Sequence, residues 1–272
     1  MLQNKRTLLI EADGAPLDVT SRVRLTGSAT LGLLPTCWRL SMPHLPQDLT
    51  TRLRDARSLR VLDENGALLA AGRAEQVFAT LLPDDTPVTE VLFSEAPDFL
   101  RATVDLTLPA GLTATELLRR VVAGCSAPVP VCGMPTPAAY QTAGSTPLPV
   151  TTRCSVFHGR ARDAVTDLAR SAGLVPYLED GCLSLADPAA PGTCLTFVDS
   201  DLLAPPALIT TDRGSPDGVL LRVSPAAFPL GRPVQASQNG EIFRGVLVAR
   251  ALDLDTWNGS WQATLLLSST KT

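Results

Sequence analysis

The 272 residues carry 23 Lys and Arg against 27 Asp and Glu, a formal net charge of −4 with a pI near 5.2. That balance lacks the clustered cations that displace counterions from phosphate, which argues against specific nucleic-acid binding. Mean hydropathy of +0.16 is high, yet no apolar stretch approaches the roughly 18–20 residues that span a bilayer, so no membrane insertion is expected. Residues 7–10 are too short for a signal-peptide core and Glu11 follows at once, which predicts a chain made and kept in a cytoplasm.

In chain order, residues 6–10 and 23–25 read as strands with a turn at Asp13-Gly14. Trp38, Leu40 and Met42 alternate with Arg39 and Ser41, the period of a strand with one buried face, and this seats Trp38 in the core. Arg52, Arg54, Arg57 and Arg60 form the one basic cluster. They read as a solvated turn or short helix before a strand, with contact to an acidic partner as the alternative. Residues 59–62, a turn at 63–66 and residues 67–81 make a hairpin whose second limb is long enough to bend across a barrel, and 88–93 returns as another strand. Strands packed this densely point to a small barrel or sandwich.

After Pro97 the character changes. Thr113 followed by Glu116 is the spacing of a reciprocal capping box. Ala114, Leu117, Leu118, Val121 and Val122 then fall on one helical face, with Gly124 as the stop. Prolines crowd residues 125–150, which predicts an extended connector, either an arm on a neighbouring subunit or a surface loop. A strand is expected over 150–157. A second helix follows with Ala161, Ala164, Val165, Leu168 and Ala172 on one face, and then a hairpin turning at Glu179-Asp180-Gly181. From Thr193 the pattern is β again, over 208–211, 218–223, 232–237, 241–252 and 260–267, with Trp257 in the last loop and Trp261 opening the final strand.

One phrase occurs twice: Asn65-Gly66 with an apolar run to Gly72, and Asn239-Gly240 with an apolar run to Gly245. Asn-Gly suits a tight I′ hairpin turn and the later glycine a bulge. The copies flank the helices, so the chain reads as two related β modules around a mixed segment, an arrangement that points to assembly rather than chemistry. Asn-Gly is common and the spacing differs by one residue, so coincidence stays open.

The search for chemistry is nearly empty. The six cysteines and two histidines include no Cys-x-x-Cys, and Cys125 and Cys132 are too far apart for a close ligand pair, so no metal site is expected. Cys154 and His158 are the one thiol and imidazole near each other, read here as non-catalytic. The cysteines are expected to be reduced, mostly buried hydrophobes with no disulfide framework. Asp84-Asp85, Asp199 with Asp201, and Asp253 with Asp255 sit beside turn formers and read as turn and loop residues. No phosphate loop, nucleophile elbow or zinc helix is present. No catalytic, cofactor-binding or metal residue is assigned, no cofactor is implied, and the chain is expected not to be an enzyme.

Three segments carry a resemblance: Gly159 to Leu174 with the following Glu-Asp-Gly-Cys-Leu-Ser-Leu, Asp217 to Pro225, and the ending that runs from Gly240 through Trp261. In these the chain resembles phage baseplate hub proteins. The resemblance implies a mainly β fold with an α+β middle. Residues 1–98 would be a first tail-tube-like barrel, 99–197 a mixed domain holding the Pro-rich connector 125–150, and 198–272 a second tube-like barrel. It implies a homotrimeric ring in the virion tail baseplate, assembled in the host cytoplasm, that adapts the sixfold tail tube or tube-initiator ring to the threefold central spike. The tape measure protein and baseplate wedge are further partners by the same resemblance. Rival readings are a tail-tip or injection-particle hub, a baseplate-borne cell-wall hydrolase, and a carbohydrate-binding sandwich using Trp257 and Trp261.

Overall fold

The computed structural model describes residues 6–19, 22–132, 151–187, 193–210, 216–256 and 259–269. The chain opens with a small hairpin, β1 (Leu9–Ala12) and β2 (Ala15–Leu17), turning at Asp13 and Gly14, both left-handed. It continues with β3 (Arg24–Thr30), β4 (Cys37–Pro43), α1 (Gln47–Asp55), β5 (Leu59–Leu62), β6 (Leu68–Leu81) and β7 (Pro87–Ser94). The basic cluster lies on and just after α1, the short helix expected there, and Arg60 falls in β5.

The middle part holds α2 (Pro97–Arg101), β8 (Thr103–Leu108), α3 (Ala114–Ala123), β9 (Ser155–Arg160), α4 (Ala161–Ser171), β10 (Val175–Glu179) and β11 (Cys182–Ala186). The capping box of α3 is present: Thr113 Oγ1 accepts from the Glu116 amide while the Glu116 carboxylate accepts from the Thr113 amide. Leu117, Leu118, Val121 and Val122 are buried as the periodicity demands. The connector's first residues are ordered against β11 through the Val131–Leu183 bridge, and the rest of it, residues 133–150, lies outside the described residues.

The last part comprises β12 (Leu195–Phe197), a 3₁₀ turn, β13 (Leu202–Thr210), β14 (Pro216–Val223), β15 (Pro233–Gln238), β16 (Glu241–Asp255) and β17 (Trp261–Ser269). The protein is mainly β with an α+β middle; the strands of its terminal parts join in one large sheet ordered β13-β14-β17-β16-β3-β4-β7-β6-β5-β1-β2, with β15 also pairing β16 and β12 pairing β15, while β8–β9 and β10–β11 form separate two-stranded sheets. One core runs beneath both terminal parts and includes Leu25, Trp38, Leu40 and Phe93 together with Leu221, Leu247, Leu254 and Leu265. A second core, with Phe99, Val121, Val165 and Leu183 among its members, belongs to the middle part. The β10–β11 hairpin touches both, Tyr177 and Ala186 facing the first and Leu178, Leu183 and Leu185 the second.

The terminal parts repeat one another. The first is ordered β3-β4-β7-β6-β5 and the last β13-β14-β17-β16-β15, the same chain order in the same spatial order. The buried Trp38, Leu40 and Met42 of β4 take the positions that the buried Val219, Leu221 and Val223 hold in β14. Register breaks between Ala74 and Gln76 in β6 and between Leu247 and Ala249 in β16, an extra residue at equivalent points of the two long strands. Just before each bulge a glycine lets the backbones close. A Cβ on Gly72 would sit 2.6 Å from the Ser94 carbonyl carbon, and one on Gly245 would overlap the Ser268 carbonyl oxygen. The hairpin turns do differ. Asn239 and Gly240 are both left-handed, as a I′ turn requires, but in the first copy Gly66 is left-handed and Asn65 is not. There Asp63 shapes the loop, its carboxylate accepting from the Asn65 and Ala67 amides.

The cysteine expectation is overturned. Cys132 and Cys182 form a disulfide across 50 residues of sequence, and of the remaining four only Cys125 is buried, with Cys37, Cys154 and Cys194 exposed. Thiol placement follows packing of the connector's start on β11, where the Leu183 amide donates to Pro130 and the Cys132 amide to Leu183, a contact no sequence spacing announces. Two outcomes are expected. Alkylation of the oxidised, denatured chain should modify the four free cysteines and, after reduction, all six, as read by intact mass. Gly72→Ala and Gly245→Ala should each destabilise the chain by about 1–3 kcal/mol through overpacking, measured by urea unfolding.

Candidate assembly interface

The residues that could have made an active site are dispersed. His158 sits on the exposed face of β9, where Nδ1 lies 3.6 Å from an Asp105 carboxylate that is equally exposed, and Cys154 precedes the strand. Asp199 and Asp201 belong to the 3₁₀ turn, Asp201 accepting from the Val198 amide and Asp199 from the Asn239 amide. Asp84 holds the Thr86 amide in its turn. Asp253 and Asp255 lie within β16 rather than in a loop, and Asp255 is buried. Trp261 is half-buried against the main core with the Arg6 guanidinium 5.5 Å over its ring, a packing role rather than an open sugar platform. Trp257 lies outside the described residues. Among the described residues no group of three His, Cys, Asp or Glu could hold a metal ion, and no helix is long and apolar enough to cross a membrane.

What the fold does build is a pair of contrasting sheet surfaces. One face of the sheet rests on the core. On β3 and β4 the other face presents Arg24, Thr26 and Ser28 beside Arg39 and Ser41, which alternate with the buried Leu25, Trp38 and Leu40. Charges there are matched across neighbouring strands, Arg24 to Asp253 at 3.5 Å and Arg39 to the nearly buried Glu90 at 2.5 Å. No charge pattern in the sequence reveals these pairs, because they form between strands distant along the chain.

The three parts meet at a buried charge node. Arg250 of β16 donates to the Phe228 carbonyl and lies 3.7 Å from Glu179 of β10. Glu95, just after β7 and 1% exposed, faces the same cation. Burial pushes the Glu95 carboxyl up to about 8, with the Arg250 charge opposing that shift and the Glu179 charge adding to it. Burial raises Glu179 as well. Arg60 adds a second strap from the first part to the middle, reaching Asp180 at 3.4 Å while also pairing with Glu11. The expectation that the arginine cluster is merely solvated therefore fails for Arg60. It escapes sequence reading because its partner is 120 residues away.

No protein-family model and no curated protein matches the sequence. Solved structures do resemble it. A tail protein from Neisseria meningitidis MC58 is 13% identical with a TM-score of 0.66, over 97% of this chain and 96% of that one. A 43 kDa tail protein of prophage MuSo2 from Shewanella oneidensis is 9% identical with a TM-score of 0.68, over 96% of each chain. An Escherichia coli component of the type VI secretion system, itself structurally similar to T4 bacteriophage tail proteins, is 8% identical with a TM-score of 0.59, over 96% of this chain and 77% of that one. The chain has the fold of these phage tail and secretion-system proteins along nearly its whole length.

The charge node sets a pH dependence. Glu95 binds its proton more tightly folded than unfolded, so its contribution to stability is full below the unfolded value of 4.5 and is lost as pH rises to about 8. Glu95→Gln should be more stable than the parent near pH 8 and should flatten this slope, as urea midpoints measured across the window will show.

Proposed function

We propose that this chain is a structural baseplate hub of a phage tail: a homotrimeric ring in the virion that joins the sixfold tail tube, or its initiator ring, to the threefold central spike. The observation that carries the reading is the internal duplication, with one strand order, one bulge and one glycine contact in each copy. Three chains of two like modules offer six near-equivalent units to the tube while keeping true threefold symmetry toward the spike. The tail-protein fold supports a structural role of this kind. In such a ring the face bearing the matched Arg24–Asp253 and Arg39–Glu90 pairs lines the bore, where paired charges give a passing polymer little to hold. Tape measure protein and baseplate wedge are further partners in this reading, and the chain performs no catalysis.

A second reading, the hub of an injection particle, draws support from the likeness to a type VI secretion component and to a chain of the PdpA–VgrG complex. It uses the same ring with a different spike, and pull-downs with the tube and spike proteins encoded beside each candidate separate the two. Native mass spectrometry of the full chain with tube and spike present should give a species of three 28.7 kDa subunits. A monomer throughout would overturn the hub. Zymograms on peptidoglycan should show no clearing, and clearing would favour the cell-wall hydrolase instead.

A further inference from the structure

The duplication is complete in strand order but not in pairing. In the last module the distal half of β16, residues 249–255, is covered on its free side by β3 of the first module, Ala249 pairing with Thr30 and Asp255 with Arg24. The equivalent stretch of β6, residues 76–81, pairs with β7 on one side, and β5 covers only residues 68–72 on the other. At the far end of the sheet β13, the counterpart of β3, pairs among the described residues with β14 alone. Each module therefore lacks what the other kind of module possesses.

Exposure marks both edges. Leu254 is fully buried beside β3, while its counterpart Leu81 in β6 is 68% exposed. Phe78 is exposed on the same edge, and Leu203, Leu208 and Ile209 are exposed on β13. A long edge with unpaired amides and apolar side chains is a template for another strand. Its complement is present once per chain, at the opposite end of the sheet.

We infer that β13 of one copy pairs antiparallel with the distal half of β6 of the next copy, repeating between chains the joint that β3 and β16 make within one. The register follows from the duplication. Gly27 pairs with both Trp38 and Leu252, and Leu208 pairs with Val219 as Gly27 does with Trp38. Since Ala79 occupies the place of Leu252, Leu208 falls opposite Ala79. One step along, Ile209 falls opposite Phe78 and Ala207 opposite Thr80. Two exposed apolar side chains thus become a cross-strand pair, the kind of contact that holds neighbouring strands in register. The joint is head-to-tail, so the same edge pair recurs around a ring until the rotation closes.

This inference rests on the hub reading for its closure at three copies but not for its register. The test is a full-length chain with Cys37, Cys154 and Cys194 changed to Ser. Phe78→Cys and Ile209→Cys chains, mixed and mildly oxidised with tube and spike present, should give covalent dimers. The doubly substituted chain should give a ladder ending at three copies, while either single variant alone, or Phe78→Cys mixed with Leu203→Cys, gives none. Phe78→Glu should abolish the native trimer with the melting curve of the monomer unchanged, and adding Ile209→Lys to the same chain should restore it. A native trimer without the 78–209 link overturns the pairing and leaves the hub standing. A ladder running beyond three into filaments keeps the pairing and overturns the ring, and a chain monomeric under every condition overturns both.

Discussion

A fifteen-residue strand has more backbone amides than any one neighbour in this fold can satisfy, and the architecture follows from how β16 (Glu241–Asp255) solves that problem. Along one side it runs with β17. On the other it takes β15 for its first half and β3 for its second, changing partners across the bulge that follows Gly245. The bulge turns the strand, and the turned half is what reaches the first module. Because β3 belongs to the N-terminal part, satisfying the amides of β16 fuses the two ends of the chain into one sheet over one core.

That fusion leaves the middle part to be fixed by other means. Its own core is separate, and its attachment runs through the two-faced β10–β11 hairpin and the charges around Arg250. Burying two carboxylates beside one guanidinium is costly in desolvation, and the high Glu95 value shows that burial outweighs attraction there. With Glu95 protonated at neutral pH, the carboxylate beside Arg250 is the half-buried Glu179, 3.7 Å away. Such a pair adds little net stability, yet it ties β16 of the last part to β10 of the middle part, because separating them would leave a buried charge stranded.

Much of the fold could be read from the sequence where local chemistry dictates structure. The α3 cap, the apolar stripe of α4, the alternation through Trp38 and the turn at Asn239-Gly240 all follow from short-range rules. Elements without such signals escaped: α2, which has no side-chain cap, β8, and residues 202–207 of β13, where Pro205 and Pro206 hide the start of a strand legible only from Leu208; β13 lies at the sheet's edge, where a missing amide is tolerated. The disulfide and the exposed cysteines were misread for a related reason. Burial of a thiol depends on what packs over it, and for Cys132 that is a strand 50 residues away.

The sequence by itself pointed to two like β modules with a mixed insert, because hairpin turns, bulge glycines and helix caps are encoded by a few adjacent residues, and the strand order then established the repeat. It also pointed toward assembly, through the repeat and the lack of a catalytic constellation. Only the tertiary structure decided which edges of those modules meet. Strand pairing across more than 200 residues, as between Thr30 and Ala249, is a choice among many apolar strands of similar appearance, settled by the shared core and the bend at the bulge rather than by anything a local stretch of residues can state.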